Sequence, residues 1–475
     1  MLFSSLPFQF WFLPLFFIVY FAFKKRTHKN IILLVFSLFF YAWGEPVYVF
    51  LMIFTILCDY IFGFLISKNI DENNKKKAKR YVIASVIINL SVLGFFKYAD
   101  FFIGNLSLIP AFSFLKPIGL TLPIGISFYT FQTMSYSIDI YRGDAKMQKN
   151  IVTYGAYVAM FPPLIAGPII RYHTLAEQLI NRIETTDDFA IGLRRFIAGL
   201  TKKIFIANTM AEVCDNILYK YSDGFAGSIG ALGMWIAVIA YTLQIYYDFS
   251  GYSDMAIGLG RMMGFRYLEN FNYPYISKSV TEFWRRWHIS LSSVFRDYVY
   301  IPLGGNRVKI ARWILNMMIV WFLTGLWHGA EWTFILWGVY FGVLLIIEKQ
   351  FLQNNILKIP VLNHIYTITA FMFGWIIFRA ESVSHIGTIL SGMFGANGSG
   401  SMFNLAQNGL IKPIHLIMLI IGIVCSIPVS GKIKTILEKN AKTAYMIDIA
   451  SIGAFILCII TLAQGAYNPF IYFRF

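Results

Sequence analysis

The sequence predicts an all-α polytopic membrane protein, and two observations lead to this class. Hydrophobic residues fill 57% of the 475 positions and charged residues only 13%, against about 25% in an ordinary soluble domain. Apolar stretches of roughly the 20 residues that cross a hydrocarbon core recur from one end of the chain to the other. We therefore expect roughly 11–12 transmembrane helices, in a single membrane domain over residues 1–475 that is embedded in a lipid bilayer.

The predicted spans follow these apolar stretches. They lie near residues 6–23, 31–43, 46–66, 80–98, 120–138, 231–247, 250–264, 313–330, 332–347, 361–378, 411–428 and 444–465. Two of them, 31–43 and 250–264, are short for a full crossing, and the stretch 151–169 contains several prolines and glycines. Such segments favour broken or re-entrant helices, which a membrane tolerates where protein or a cavity surrounds them.

The basic residues are distributed as the positive-inside rule requires. The chain carries 40 Lys and Arg against 24 Asp and Glu, a net charge of +16, which by itself would also suit a nucleic-acid partner. These residues, however, collect in alternate short loops beside apolar spans, at 24–29, 68–80, 142–149, 278–312, 349–358 and 432–442. We therefore expect a multi-pass protein of the cell membrane with no nucleic-acid partner, with both termini outside and residues 466–475 as an extracytoplasmic C-terminal tail.

Several enzyme classes lack their sequence signatures in this chain. The four cysteines, Cys58, Cys214, Cys425 and Cys458, form no CxxC pair, so the sequence predicts neither a disulfide framework nor a metal site. No G-x-S-x-G elbow, Walker A loop or H-E-x-x-H helix occurs. Hydrolase, P-loop ATPase and zinc peptidase interpretations therefore lose their main support, and no bound cofactor is expected.

His328 is the main candidate for catalysis. It ends an apolar span in the sequence WFLTGLWHGAEW, residues 321–332. Ionisable residues at membrane depth usually face a protein cavity and are functional candidates. A neutral imidazole accepts a proton at pH 7, which is the property a general base needs. The alternative is a structural histidine bonded to a backbone carbonyl at a tight turn.

His288 lies in an aromatic and basic cluster, FWRRWHIS at residues 283–290. The spacing predicts a helix over residues 281–299 along the cytoplasmic interface, with Trp284 and Trp287 at headgroup depth and the histidine facing the protein. The alternative is a histidine that merely lies at the headgroup boundary. Arg285 and Arg286 are candidates for binding the phosphates of an acyl donor, or they simply follow the positive-inside rule.

Four further side chains complete the set of candidates for binding substrate or donor. Gln244 and Asp248 are one helical turn apart, so they can share one helix face. They line a reaction chamber, or they lock a helix break at Gly251 through polar contacts. Trp284 lies one helical turn before His288 and Trp327 lies directly before His328.

Five ordered motifs carry a family resemblance: YYDFSGYSDMAIGLG at 246–260, NFNYPY at 270–275, FWRRWH at 283–288, YIPLGGN at 300–306 and LWHG at 326–329. Together they resemble the membrane-bound O-acyltransferase (MBOAT) family, and more closely the membrane subunit of bacterial alginate O-acetyltransferases. The match extends over nearly the whole chain. The motifs concentrate in residues 241–348, which we expect to form the catalytic portion.

This resemblance implies a helical bundle around a central funnel or tunnel, with His328 as the catalytic residue at its narrow centre and His288 at a second family position. It also implies transfer of an acyl group, expected to be acetyl, from a cytoplasmic acyl-CoA such as acetyl-CoA or from an acyl carrier. The acceptor would be an extracellular or cell-wall polysaccharide, reached through an extracytoplasmic transferase or esterase-like partner. Because the family includes enzymes that D-alanylate teichoic acid, D-alanyl transfer is an alternative.

A transporter or flippase of a glycan or lipid intermediate is the non-enzymatic alternative, since it too needs polytopic helices with broken segments. Such a protein is expected to carry an internal repeat. The chain contains no second copy of the WHG or YDFSG pattern, which favours the enzyme.

The C-terminal tail has two interpretations. Its last six residues, FIYFRF at 470–475, suit an aromatic anchor at the membrane interface. They also resemble the C-terminal motif of the small protein that works with D-alanylating members of the family, in which a terminal tyrosine is thought to carry the acyl group. That resemblance implies that Tyr472 relays the acyl group from a donor near His328 to the partner outside.

Overall fold

Every regular secondary-structure element is a helix in the residues that the computed structural model describes, 1–353, 356–428, 441–465 and 467–471, and these residues form no β-strand. The α-helices, numbered in chain order, are α1 Leu13–Ala22, α2 Arg26–Gly44, α3 Tyr48–Asp71, α4 Lys75–Leu106, α5 Ile126–Arg142, α6 Ile151–Ala159, α7 Phe161–Leu164, α8 Tyr172–Leu175, α9 Gln178–Asn181, α10 Thr186–Thr201, α11 Asn208–Lys220, α12 Ala226–Met262, α13 Val280–Arg286, α14 Ile289–Phe295, α15 Ile310–His328, α16 Trp332–Ile347, α17 Leu362–Arg379, α18 Val383–Met393, α19 Met402–Gln407, α20 Pro413–Cys425 and α21 Ala441–Ala463.

Several of these helices are long and apolar enough to cross a membrane. Within the described ranges there are six such stretches: Tyr48–Asp71, Lys75–Leu106, Thr186–Met262, Ile310–His328, Trp332–Leu352 and Tyr445–Ala463. Phe8–Ala22 and Pro413–Cys425 are shorter apolar helices. An all-α, multi-pass membrane protein is thereby confirmed, while the total of roughly 11–12 spans stays a prediction.

The chain divides into two compact units. Unit 1 comprises Met1–Phe196 and Ser253–Leu268, and unit 2 comprises Ile197–Tyr252 and Glu269–Phe475. In unit 1, α3 packs against α4 and α5, and α2 packs against α6. In unit 2, α15 packs against α16, which packs in turn against α17. All predicted site residues that the structure describes belong to unit 2.

α2 is longer than its sequence predicts. The apolar run 31–43 predicts a short segment, whereas the helix has 19 residues and begins at Arg26. Its polar first turns have partners inside unit 1: Lys29 Nζ lies 3.2 Å from a carboxylate oxygen of Glu184, and Asn30 Nδ2 donates to a backbone carbonyl at 3.0 Å. Because these buried groups are paired, the helix extends beyond the apolar run, and the predicted short segment is wrong.

The proline-rich stretch 151–169 is broken, as predicted. α6 ends at Ala159, Met160 leaves helical geometry at φ −46° and ψ 111°, and α7 is a single turn. Pro162 and Pro163 lie in that turn and have no backbone N–H with which to continue the preceding helix.

α12 is one helix where the sequence predicts two. It runs unbroken through the predicted span 231–247 and on to Met262 in the second predicted span, 250–264, and Gly251 is helical. A Cβ atom on Gly251 would lie 2.8 Å from the carbonyl oxygen of Gly199, so glycine here lets the backbone of α10 approach closely. The predicted helix break at Gly251 is therefore wrong. Non-helical backbone occurs instead at Gly230, where φ is +53°.

α15 and α16 approach each other through a pair of glycines. A Cβ atom on Gly338 would lie 2.3 Å from the Trp321 carbonyl oxygen, and one on Gly325 would lie 2.5 Å from the Phe334 carbonyl oxygen. Neither gap holds a side chain, and small residues of this kind let membrane helices pack backbone to backbone. The contact fixes Trp337, the neighbour of Gly338, relative to the C-terminal end of α15.

We predict that Gly338→Ala destabilises unit 2 more than Gly342→Ala does. Both changes improve helix propensity equally, by about 1 kcal/mol, but only the first forces a methyl group onto a backbone oxygen. At Gly342 the nearest atoms are side-chain atoms of Met318 and Trp321, 3.1 Å away. The expected difference is roughly 1–3 kcal/mol, read as a lower unfolding temperature in detergent. Equal unfolding temperatures would show that the contact is not tight.

Candidate active site

His328 lies in an aromatic enclosure built by three helices of unit 2. It is the last residue of α15 and is only 7% exposed. Ring centroids lie 4.9 Å away for Trp327 of α15, 4.9 Å for Trp337 of α16 and 5.2 Å for Phe378 of α17, all at steep angles to the imidazole. The enclosure holds the ring in one orientation and excludes bulk water from its flanks.

His288 lies between two short helices. Its backbone is left-handed, with φ +44°, which ends α13 and starts α14 in a new direction. The backbone N–H of Ile289 donates to the Asn270 carbonyl at 3.0 Å, and this bond secures the turn. The predicted single helix over 281–299 is therefore wrong, because a left-handed residue interrupts it.

Asn270 determines the tautomer of His288. Asn270 Oδ1 accepts the backbone N–H of Ser290 at 3.2 Å and the Ser290 hydroxyl at 2.8 Å, and it lies 3.2 Å from His288 Nδ1. Since a backbone N–H can only donate, this amide atom is an oxygen, and His288 Nδ1 must carry the hydrogen. Burial lowers the pKa of His288 to about 3. The ring is thus neutral at physiological pH, with the lone pair on Nε2.

Trp327 connects the two histidines. Its ring centroid lies 5.8 Å from that of His288 and 4.9 Å from that of His328. Phe249 of α12 closes the far side of His288 at 4.6 Å. Two histidines that are forty residues apart in the sequence therefore both pack against the indole of Trp327.

The other tryptophans of the motif are internal to unit 2. Trp287 is 4% exposed and packs on Trp375 at 4.8 Å. Trp284 contacts Trp337 at 5.5 Å and so supports the enclosure of His328 from behind. Both rings pack against aromatic partners inside the protein, and the depth of Trp284 and Trp287 in the membrane stays a prediction.

The two motif arginines differ in their availability. Arg286 forms an ion pair with Glu282 at 2.8 Å and donates to the Asn272 carbonyl at 3.0 Å, so its guanidinium is engaged in holding α13. Arg285 is exposed. Of the two predicted donor-binding cations, Arg285 is the one that remains accessible to a ligand.

Gln244 and Asp248 have different surroundings on α12. Gln244 Oε1 is buried and has no hydrogen-bond partner among the described residues, and such an atom calls for a ligand or water. Asp248 is 2% exposed and forms an ion pair with Lys203 at 2.6 Å. Gln244 therefore remains a candidate for substrate contact, whereas Asp248 has a protein partner.

The C-terminal tail, described over residues 467–471, is bound within unit 2. Phe470 and Ile471 are each 9% exposed, and the Phe470 ring lies 5.2 Å from that of Tyr252. The interpretation of the tail as a membrane anchor is wrong for these two side chains, because protein covers them. Tyr472 lies outside the described residues.

The sequence analysis missed several residues of this region. Asn270 falls in the NFNYPY motif. In the sequence, only the hydrogen-bonding chemistry of its amide could have singled it out. Trp337 and Phe378 give no signal in a chain with 18% aromatic residues. Lys203 is one of many basic residues, and only its burial at 3% exposure distinguishes it.

One cavity of unit 1 is lined by none of the predicted site residues. It has a volume of about 820 Å³ and is bordered by the start of α2, the loop 143–150 and residues 172–180. Its cationic lining residues are Arg26, Lys146 and Lys149. The histidines and tryptophans described above all belong to unit 2.

Comparison with known proteins identifies the family to which the chain belongs. Residues 146–382 match the model of MBOAT, the membrane-bound O-acyltransferase family, and that segment includes both histidines. The chain is 39% identical to the probable alginate O-acetylase AlgI of Azotobacter vinelandii over 100% of both chains. It is 34% identical to the peptidoglycan O-acetyltransferase of Helicobacter pylori over 84% of this chain and 80% of that one.

A more distant relative is the teichoic acid D-alanyltransferase of Bacillus subtilis, 29% identical over 55% of this chain and 70% of that one. All three relatives are named as enzymes that transfer an acyl group. With the family model and a full-length relative in agreement, this chain belongs to the membrane-bound O-acyltransferase family.

Proposed function

We propose that this protein transfers an acetyl group from a cytoplasmic thioester, acetyl-CoA or an acyl carrier, for O-acetylation of an extracellular or cell-wall polysaccharide. The observation that carries the proposal is the pair of buried histidines on either side of Trp327, within the segment that matches the family. The names of the two relatives with the higher identities favour acetyl over D-alanyl as the group transferred.

The proposed chemistry needs one base that accepts and then returns a proton. A hydroxyl gives its proton to an imidazole nitrogen of His328 as its oxygen bonds to the thioester carbonyl carbon. The carbon–sulfur bond then breaks, and the thiol leaves with the proton that the imidazolium returns. The aromatic enclosure supports this role, since a dry, fixed ring avoids reorganisation during proton transfer.

His288 is proposed as a neutral partner in the same site. Its Nε2 lone pair can accept a hydrogen bond but the ring stays uncharged, because burial lowers its pKa to about 3. It therefore orients a hydroxyl or a water without adding a positive charge beside the imidazolium that forms on His328. Arg285 is the proposed contact for the donor phosphates, as a charge-assisted hydrogen-bond donor.

Tyr472 is proposed to carry the acetyl group between the donor and an extracytoplasmic transferase or esterase-like partner. A phenol has a pKa of about 10, so its attack on a thioester needs a base such as His328. The product would be an aryl acetate on the tail, from which the partner takes the acetyl group for the polysaccharide. The burial of Phe470 and Ile471 in unit 2 supports a tail that serves the site.

The activity is tested with purified protein in detergent and acetyl-CoA labelled in its acetyl group. Release of free CoA together with label on protein or on an acceptor hydroxyl would support an acyltransferase. Absence of any thioester turnover, in a preparation shown to be folded, would favour a transporter or flippase.

We predict that His328→Ala lowers acyl transfer by roughly 10²–10⁴-fold, the usual contribution of a general base, and that His328→Gln is equally inactive. The control is His415→Gln, which changes another histidine of unit 2 that is 3% exposed and lies outside the aromatic enclosure. Activities are compared at equal membrane abundance. Wild-type turnover in either His328 variant would refute the assignment of the base.

We predict that His288→Ala reduces activity less than His328→Ala. A ring that orients a reactant without exchanging its proton contributes less to the rate than the base itself. His288→Gln is expected to recover part of the loss, because its amide can still accept a hydrogen bond. If His288→Ala is the more damaging change at equal abundance, the two roles are exchanged.

We predict that Tyr472→Phe abolishes polysaccharide acetylation without lowering membrane abundance, because the ring is kept and only the hydroxyl is lost. Mass spectrometry of the wild-type C-terminal peptide should show an acetyl adduct at Tyr472. Unchanged acetylation in Tyr472→Phe would rule out the relay.

A further inference from the structure

Each described residue of the C-terminal tail has a contact with unit 2. The hydroxyl of Tyr467 donates to Asp215 at 2.8 Å. Asn468 Oδ1 accepts from Asn208 at 3.1 Å. The remaining contacts are the Pro469 carbonyl with Lys203, the Phe470 ring with Tyr252, and the Ile471 N–H with Asp248.

Two carboxylates that bind the tail share one arrangement. Asp248 directs Oδ1 to Lys203 at 2.6 Å and accepts the Ile471 N–H on Oδ2 at 2.8 Å. Asp215 directs Oδ1 to Arg379 at 2.7 Å and accepts the Tyr467 hydroxyl on Oδ2. In each ion pair, one carboxylate oxygen faces the cation and the other faces the tail.

The Lys203–Asp248 pair is the more deeply buried of the two. Its side chains are 4% and 2% exposed, against 14% and 31% for Arg379 and Asp215. A buried ion pair is a poor source of stability, because the cost of desolvating both charges offsets their attraction. Both members of this pair form hydrogen bonds with the tail backbone, at Pro469 and Ile471. The pair therefore binds the tail in addition to any effect on the stability of unit 2.

These ion pairs adjoin the residues that pack on the two histidines. Asp248 precedes Phe249, whose ring lies 4.6 Å from that of His288. Arg379 follows Phe378, whose ring lies 5.2 Å from that of His328. Since consecutive Cα atoms are about 3.8 Å apart, the tail is attached to the two backbone segments that also form the walls of the site.

We propose that Lys203 and Asp248, assisted by Asp215 and Arg379, are positioning residues that clamp tail residues 467–471 beside the reaction centre. The clamp fixes the backbone immediately before Tyr472, and so sets the register in which that residue meets the acyl donor. This role rests on the proposed acetyl relay by Tyr472, whereas the binding of the tail by the clamp does not.

The direct test removes tail hydrogen bonds without altering either ion pair. Ile471→Pro deletes the N–H that Asp248 accepts, and Ile471→Ala is its matched control, since it loses the side chain but keeps that N–H. Tyr467→Phe deletes the hydroxyl that Asp215 accepts. Tail release is measured as the rate of chymotryptic cleavage after residue 467 in every variant. This rate tracks the population of the undocked tail.

Ile471→Pro is expected to speed tail cleavage and to lower acetyl transfer by about tenfold or more relative to Ile471→Ala, as loss of a hydrogen bond to a buried charge implies. Tyr467→Phe should give a smaller loss of transfer, because Asp215 is partly exposed and water can replace the hydroxyl. Cleavage of Ile471→Pro at the rate of Ile471→Ala would overturn the clamp. Faster cleavage with unchanged transfer would overturn the positioning role.

A second variant addresses the ion pair itself. Lys203→Met combined with Asp248→Leu removes both charges, a replacement that folded proteins often tolerate, whereas either single change would leave a buried charge alone. The clamp predicts a folded double variant with a rapidly cleaved tail and strongly reduced transfer. A folded double variant whose tail is as resistant as that of the wild type would overturn the proposal. The cleavage assay does not depend on enzyme activity. Failure of the clamp is therefore seen in the cleavage rate, whereas failure of the relay is seen as an active Tyr472→Phe variant.

Discussion

The close contact between the backbones of α15 and α16 is the constraint on which the candidate site depends. Gly325 and Gly338 leave no room for a side chain between the two helices. Because the helices approach this closely, Trp337 reaches the imidazole of His328 at the end of α15. Without that approach, the histidine would lose the wall that Trp337 provides and would keep only those of Trp327 and Phe378.

The surroundings of the two histidines differ in a way that suits different tasks. His288 has an amide oxygen on Nδ1 and complete burial, which together keep the ring neutral in one tautomer. His328 is held by three aromatic rings from three helices. Aromatic walls exclude water but leave a reacting group able to exchange a proton, which is the combination that acyl transfer from a thioester requires.

Two ion pairs of unit 2 contact the described residues of the tail. Asp248 and Asp215 each divide their oxygens between a cation and the tail. A carboxylate already neutralised by a cation can accept a neutral donor without the full cost of a buried charge. This arrangement explains how a short polar tail is held among side chains that are largely apolar.

The sequence was sufficient for the fold class, because apolar length and the distribution of basic residues are direct consequences of crossing a membrane. It also singled out His328 and His288, since a histidine inside an aromatic run is unusual, and the structure places both rings against Trp327. It failed where tertiary contacts decide the backbone. The left-handed residue at His288 and the continuous helix through Gly251 depend on Asn270 and on α10, which lie at other places in the chain.

The tail shows the same limit. Its aromatic residues suit a membrane interface as well as a protein interior, and composition cannot distinguish the two. Lys203 lies more than two hundred residues before Pro469, so no local pattern connects them. Only the three-dimensional structure shows that the described part of the tail is bound inside unit 2.

The most direct test of the central claim is a structure of the protein with a thioether analogue of acetyl-CoA, which binds as the donor does but cannot transfer its two-carbon group. The account predicts that the group lies between His328 and the tail, with the reacting carbon within roughly 3.5 Å of its nucleophile's position, and that Arg285 contacts the phosphates. An analogue bound in the cavity of unit 1, or anywhere out of reach of the His328 imidazole, would contradict it.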